Sequence, residues 1–177
     1  MSQAIINILK GDGVKLSGSK TGNCVSASVT RLNDTTAYAV GDVVGNTTYL
    51  EFADVGVAGQ EICIYDITLM IKKAGAALAA AAGASAYKVY LYTDAPTAIA
   101  DNAAWTLGIA DADKYARIVA QTGAVSDRGD VLVATAEAIN RFVKLTGTSL
   151  YAYLVTDSAY TPVALTVQDL ELHYSAI

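Results

Sequence analysis

Apolar and polar residues alternate through most of the chain in short runs separated by turn residues. That period of two is the mark of strands with one face buried. In residues 87–93, Val89 and Leu91 point to one side while Lys88, Tyr90 and Tyr92 point to the other. This run ends at Asp94 and Pro96 and leads into a polar loop with Asp101, Asn102 and the single tryptophan, Trp105. It reads as a central strand whose exit loop is tied back by the large ring. Residues 61–73 predict the strongest strand, with Cys63, Tyr65, Ile67, Leu69 and Ile71 on one face. Asp66, Thr68 and Lys72 share the opposite face with Ile62, Ile64 and Met70, so that face is expected to be partly covered.

Further strands are predicted at 25–30, 49–53, 117–121, 141–145, 149–156 and 162–174, with short extended pieces at 33–45 around Asp34, Gly41 and Asp42. Residues 131–138 fit helix and strand equally. Within 162–174 the apolar phase changes: Val163, Leu165 and Val167 hold one parity and Leu170, Leu172 and Tyr174 the other. A bulge or bend near Gln168 and Asp169 would reconcile them. Helix is confined to one or two turns over 111–117, with Asp111 as N-cap. The Ala/Gly run 74–86 has no amphipathic stripe and reads as a loop between strands.

Many short strands with hardly any helix specify an all-β fold, an antiparallel β-sandwich or jelly roll. No stretch repeats at a fixed period, which excludes solenoids and propellers. The domain is expected over 25–177, preceded by an arm at 1–24. In that arm Ile5, Ile6, Ile8 and Leu9 sit beyond a spacer containing Gly11, Gly13, Gly18 and Gly22. An apolar tip on a glycine-rich tether suits a strand donated to a neighbour's sheet edge. The alternative is an edge strand folded back on the same sandwich.

Length and charge narrow the function. A chain of 177 residues has room for one well-formed core. Its net charge of −5, with scattered basic residues, disfavours nucleic acid as a partner. The chain carries 11 Tyr against 2 Phe, a usage suited to half-buried sheet faces and protein contacts. The start lacks a basic region followed by a long apolar stretch, so no signal peptide is expected. Neither is a membrane partner, because the longest apolar run, 74–83, falls far short of a bilayer span. Cys24 and Cys63 read as two small buried hydrophobes or as one bridge.

A search for chemistry returns little. His173 has no recognisable nucleophile and acid around it in the sequence, and one His with two distant cysteines argues against zinc. Residues 18–21 lack the glycines of a phosphate-binding loop at Val14 and Ser19. Asp94, Asp101, Asn102, Asp111 and Asp113 offer oxygens for calcium, yet turn and cap roles account for each. The expectation is a protein with no catalytic residues, no cofactor and no metal.

Residues 34–44, Asp-Thr-Thr-Ala-Tyr-Ala-Val-Gly-Asp-Val-Val, resemble a family of tailed-bacteriophage structural proteins encoded near the major capsid protein. The resemblance runs on through 66–69, 89–92, 94–97, 101–105 and 111–113, then 151–155 and 160–162, covering about 28–174. It implies a β-rich cement or decoration protein on the virion's capsid surface, assembled in the bacterial host cytoplasm, with the major capsid protein as partner. Self-association as a homo-oligomer, for instance a trimer, goes with it. Ile5, Ile6, Ile8, Leu9, Tyr90 and Tyr92 are then the expected capsid or subunit contacts. The alternative is a head- or tail-fibre module that binds a host receptor or glycan, since sandwiches serve both uses.

Overall fold

A computed structural model describes residues 22–46, 48–72, 86–128 and 131–177. Among these residues the chain forms eleven strands: β1 (Asn23–Thr30), β2 (Val43–Val44), β3 (Leu50–Phe52), β4 (Glu61–Lys72), β5 (Tyr87–Tyr92), β6 (Tyr115–Gln121), β7 (Ser126–Asp127), β8 (Val131–Ala136), β9 (Arg141–Lys144), β10 (Leu150–Thr156) and β11 (Val167–Ala176). Among the described residues the helical content is one 3-10 turn, Ile109–Asp111. The fold is the expected all-β antiparallel sandwich.

The first sheet runs β1-β11-β4-β8-β7, and the long β4 also pairs with β9 beyond the end of β8. The second runs β2-β10-β5-β6, with β3 beside β2 on the same edge of β10. The chain passes between the sheets repeatedly, so strand faces from distant parts of the sequence meet in one core. Phe52, Ile67, Leu69, Leu91, Leu154, Leu170 and Leu172 have no exposed surface there. Each such aliphatic or aromatic side chain contributes about 1.5–3 kcal/mol on burial.

Strand β5 keeps the expected alternation. Val89 and Leu91 enter the core between the sheets, and Tyr90 and Tyr92 face outwards from it. That outer face of the second sheet is itself covered, by the loop at 94–111. This explains why six of the seven residues of β10 are buried: Leu150, Ala152 and Leu154 in the main core, Tyr153 and Val155 beneath the loop, with Thr156 at the end.

Three expectations about phase need correction. In β4 one extra residue opposes β11 between His173 and Tyr174, so pairing jumps from Asp66 to Ile64. This bulge reverses the parity of the strand's first half. Ile62 and Ile64 join Ile67, Leu69 and Ile71 in the core, while Tyr65 leaves it and bonds through its hydroxyl to Ser175. Second, the phase change in the last segment is not a bulge at Gln168 and Asp169. Leu165 takes a left-handed φ of 57° and is exposed, and β11 begins only at Val167. Third, Asp111 closes the 3-10 turn instead of capping a helix, and strand β6 starts at Tyr115.

The remaining outcomes are simpler. Residues 131–136 resolve as strand, because they pair with β4 from Lys72 to Ile67. Asn23 and Cys24, assigned to the arm, open β1, which is an edge strand of the first sheet. Both cysteines are free, Cys63 buried as expected and Cys24 exposed. The loop expected at 74–86 and the arm tip with Ile5, Ile6, Ile8 and Leu9 lie outside the described residues, apart from Ala86, which directly precedes β5.

Candidate functional site

The outer face of the second sheet carries an aromatic shelf on which the loop 94–111 rests. Tyr90 stacks on Trp105 with ring centres 3.7 Å apart, and the indole Nε1 donates to the Tyr92 hydroxyl at 3.1 Å. Tyr153 works as a two-way clamp: its hydroxyl donates to the Thr97 carbonyl at 2.5 Å and accepts from the Ile99 amide at 3.0 Å. Burial pushes the Tyr92 hydroxyl up to about 12 and raises Tyr153 too, so both remain protonated donors at neutral pH.

Two carboxylates fix the loop, Asp111 joining its two ends and Asp101 anchoring its middle. Asp111 accepts from the Thr97 amide at 3.0 Å and from Lys114 Nζ at 3.0 Å, and Lys114 also donates to the Ala95 carbonyl at 2.8 Å. Burial would raise the Asp111 pKa, but the bonds from Lys114 and Thr97 outweigh it and hold it below the usual value. Asp101 accepts from the Tyr38 hydroxyl at 2.5 Å and from the Gly45 amide at 2.9 Å. Behind it lies Arg31, whose side chain is fully buried, with Nε on the Tyr38 hydroxyl at 2.6 Å, one terminal nitrogen on the Val163 carbonyl at 3.0 Å and the other 3.4 Å from Asp101. At Gly41, φ is +91°, a conformation that favours glycine, and its carbonyl accepts the Trp105 amide at 2.9 Å.

What this bracing holds out to solvent is an apolar tip. Ile109 is 97% exposed and Leu107 40%, beside a cleft of about 310 Å³ lined by Thr97, Ile99, Thr106 and Asp111. Of the residues that offer oxygens for calcium, Asp101 is engaged with Arg31 and Tyr38 and Asp111 with Lys114 and Thr97. The two tyrosines expected as contacts are also placed differently. Tyr92 is 1% exposed and belongs to the chain's own second core, and Tyr90 is half-buried under Trp105. The loop that follows them covers both.

On the opposite, outer face of the first sheet, Cys24, His173 and Asp66 form a row across three neighbouring strands. Cys24 lies directly opposite His173, and His173 opposite Asp66. Asp66 Oδ1 is 2.5 Å from His173 Nδ1. Glu171, two residues from His173 on the same face, completes a group in which one ligand atom each of Cys24, Glu171 and His173 lie within 4.8 Å of one another. Partial burial and the negative charges of Glu171 and Asp66 raise the Cys24 thiol pKa. The partners of His173 are not visible in the sequence, because they come from strands far apart along the chain. No family model and no curated protein sequence matches this chain.

Proposed function

We propose that the protein is a structural protein of a tailed-bacteriophage virion, a capsid cement or decoration protein that contacts the shell through the tip at 107–109. The observation that carries the reading is the pairing of exposure with rigidity. A nearly fully exposed isoleucine stands on a loop clamped at both ends and stacked on a tyrosine shelf. A free apolar side chain on a flexible loop would lose ordering entropy on binding; here most of that cost is met in the folded state. The sequence resemblance to virion structural proteins supplies the partner, the major capsid protein.

The mechanism is addition of buried surface. Burying the Ile109 side chain in a capsid pocket contributes about 1.5–3 kcal/mol per copy. Summed over neighbouring copies on a shell, that reinforces the joints between capsomers against internal pressure. The test is co-sedimentation with purified heads that lack the protein. The intact chain should bind, and Ile109→Asp should weaken binding by about 10–100-fold while its circular dichroism spectrum and melting temperature stay unchanged. Equal binding by the two proteins would refute the assignment of the tip. Heads carrying the protein should also hold their DNA to higher temperature than heads without it.

A further inference from the structure

We propose that Cys24, His173 and Glu171 form a zinc site that staples the edge strand β1 to β11, with Asp66 as the residue that orients the imidazole. This lies apart from the loop tip, on the other sheet, and does not depend on the capsid reading.

Donor chemistry comes first. A thiolate, an imidazole and a carboxylate are three ligand types that zinc accepts together, and three protein ligands with water in the fourth position satisfy its tetrahedral preference. Zinc bond lengths place bound donors roughly 3.3–3.6 Å from each other. One ligand atom of each residue, a ring nitrogen in the case of His173, already lies within 4.8 Å of the others. Cys24 is exposed and the other two half-exposed, so small side-chain rotations close the difference without moving the sheet.

Backbone geometry fixes the set. Cys24 and His173 are a direct cross-strand pair, whose Cβ atoms lie about 4.5–5.5 Å apart in antiparallel sheets. Glu171 stands opposite Ser26, the next outward position along β1. All three side chains therefore leave the same face of two hydrogen-bonded strands.

Asp66 is the independent observation. Its carboxylate engages His173 Nδ1 from the far side, on β4. A metal-binding histidine commonly gives one ring nitrogen to a carboxylate, which sets the tautomer and leaves the other nitrogen for the ion. With Nδ1 held by Asp66, Nε2 is the nitrogen for zinc. The carboxylates of Asp66 and Glu171 also leave local negative charge that a dication neutralises. On binding, the Cys24 S–H bond breaks, a sulfur–zinc bond forms and the proton passes to solvent; no oxidant or reductant takes part.

The position gives the site a task. Among the described residues β1 pairs with the sheet along one side only, so a load on the chain before Asn23 falls first on the Asn23–Tyr174 and Cys24–His173 pairs. A metal bridge at that end resists peeling of β1 from β11.

The test uses the full chain, stripped with a chelator and titrated with cobalt(II), then zinc(II). One cobalt should bind per chain with a thiolate-to-cobalt charge-transfer band, and zinc should displace it. Cys24→Ser should abolish the band, and Cys63→Ser should leave it intact. Asp66→Asn should weaken zinc binding roughly 10–100-fold, and His173→Gln should weaken it more. Zinc should raise the melting temperature of the intact chain but not of Cys24→Ser. Cobalt binding without a thiolate band, a band that survives Cys24→Ser, or zinc affinity unchanged by His173→Gln would each overturn the proposal. So would a Cys24 that alkylates rapidly at neutral pH in a chain that takes up no metal.

Discussion

Replacing Asp101 by alanine should destabilise the protein more than any other single carboxylate change on the loop. The Arg31 side chain has no exposed surface, and two carboxylates lie near it: Asp101 at 3.4 Å, itself 2% exposed, and Asp34 at 3.5 Å, 39% exposed. Removing Asp101 leaves the guanidinium its neutral partners Tyr38 and Val163 but only the solvent-screened Asp34 as counter-charge nearby, and deprives the Tyr38 hydroxyl and the Gly45 amide of their acceptor. Breaking a buried ion pair from one side costs about 3–5 kcal/mol. For a domain of this size that is a fall in melting temperature of about 6–20 °C. Asp34→Ala removes the exposed partner and should cost about 0–1 kcal/mol. Thermal melts by circular dichroism, backed by urea titrations, compare the two. The double variant Arg31→Met with Asp101→Ala should regain part of the loss, because the stranded charge is gone. Equal melting temperatures for Asp101→Ala and Asp34→Ala would refute the view that Arg31 depends on its buried partner.

Leu69→Asp should unfold the domain, since it buries an unpaired carboxylate in the main core at a cost of several kcal/mol, whereas Thr68→Asp on the outer face should be mild; similar melts would disprove the β4 register. Trp105→Ala should cost roughly 2 kcal/mol by urea titration, between the ~1 kcal/mol of an aromatic stack and the 3–5 kcal/mol of a fully buried ring, because the indole is half-buried. Asp111 has a folded pKa below its unfolded value of about 3.9, so its carboxylate adds stability above that value and loses it as pH falls through the folded pKa. Asp111→Asn should therefore be less stable than the parent at pH 7, with the gap in urea midpoint narrowing below about pH 4.

Local patterning carried the strand content and the faces of β5, because Val89 and Leu91 against Tyr90 and Tyr92 is a signal contained in seven residues. It could not carry the bulge in β4. There Ile62 and Ile64 and the later Ile67 and Leu69 are all apolar, and only pairing with β11 shows that Tyr65 is the residue pushed out. The buried Arg31 was equally silent, since its partners Tyr38, Asp101 and Val163 come from three separate loops. Asp66 and His173 are 107 positions apart and meet only through the β11–β4 register. Tyr90 and Tyr92 were legible as an apolar outer surface; that their own exit loop would cover them depended on the Tyr153 and Trp105 contacts. The exposed tip at Ile109 had a weak signal, an isoleucine after glycine in the stretch between Trp105 and Asp111, where no element is predicted.

The most direct test of the decoration reading is electron cryo-microscopy of heads that lack the protein, after incubation with the purified chain. The account predicts added density at regular positions over the whole shell, with residues 107–109 seated against the major capsid protein. Density confined to a tail or a single vertex, or a bound chain with Ile109 facing solvent, would contradict it.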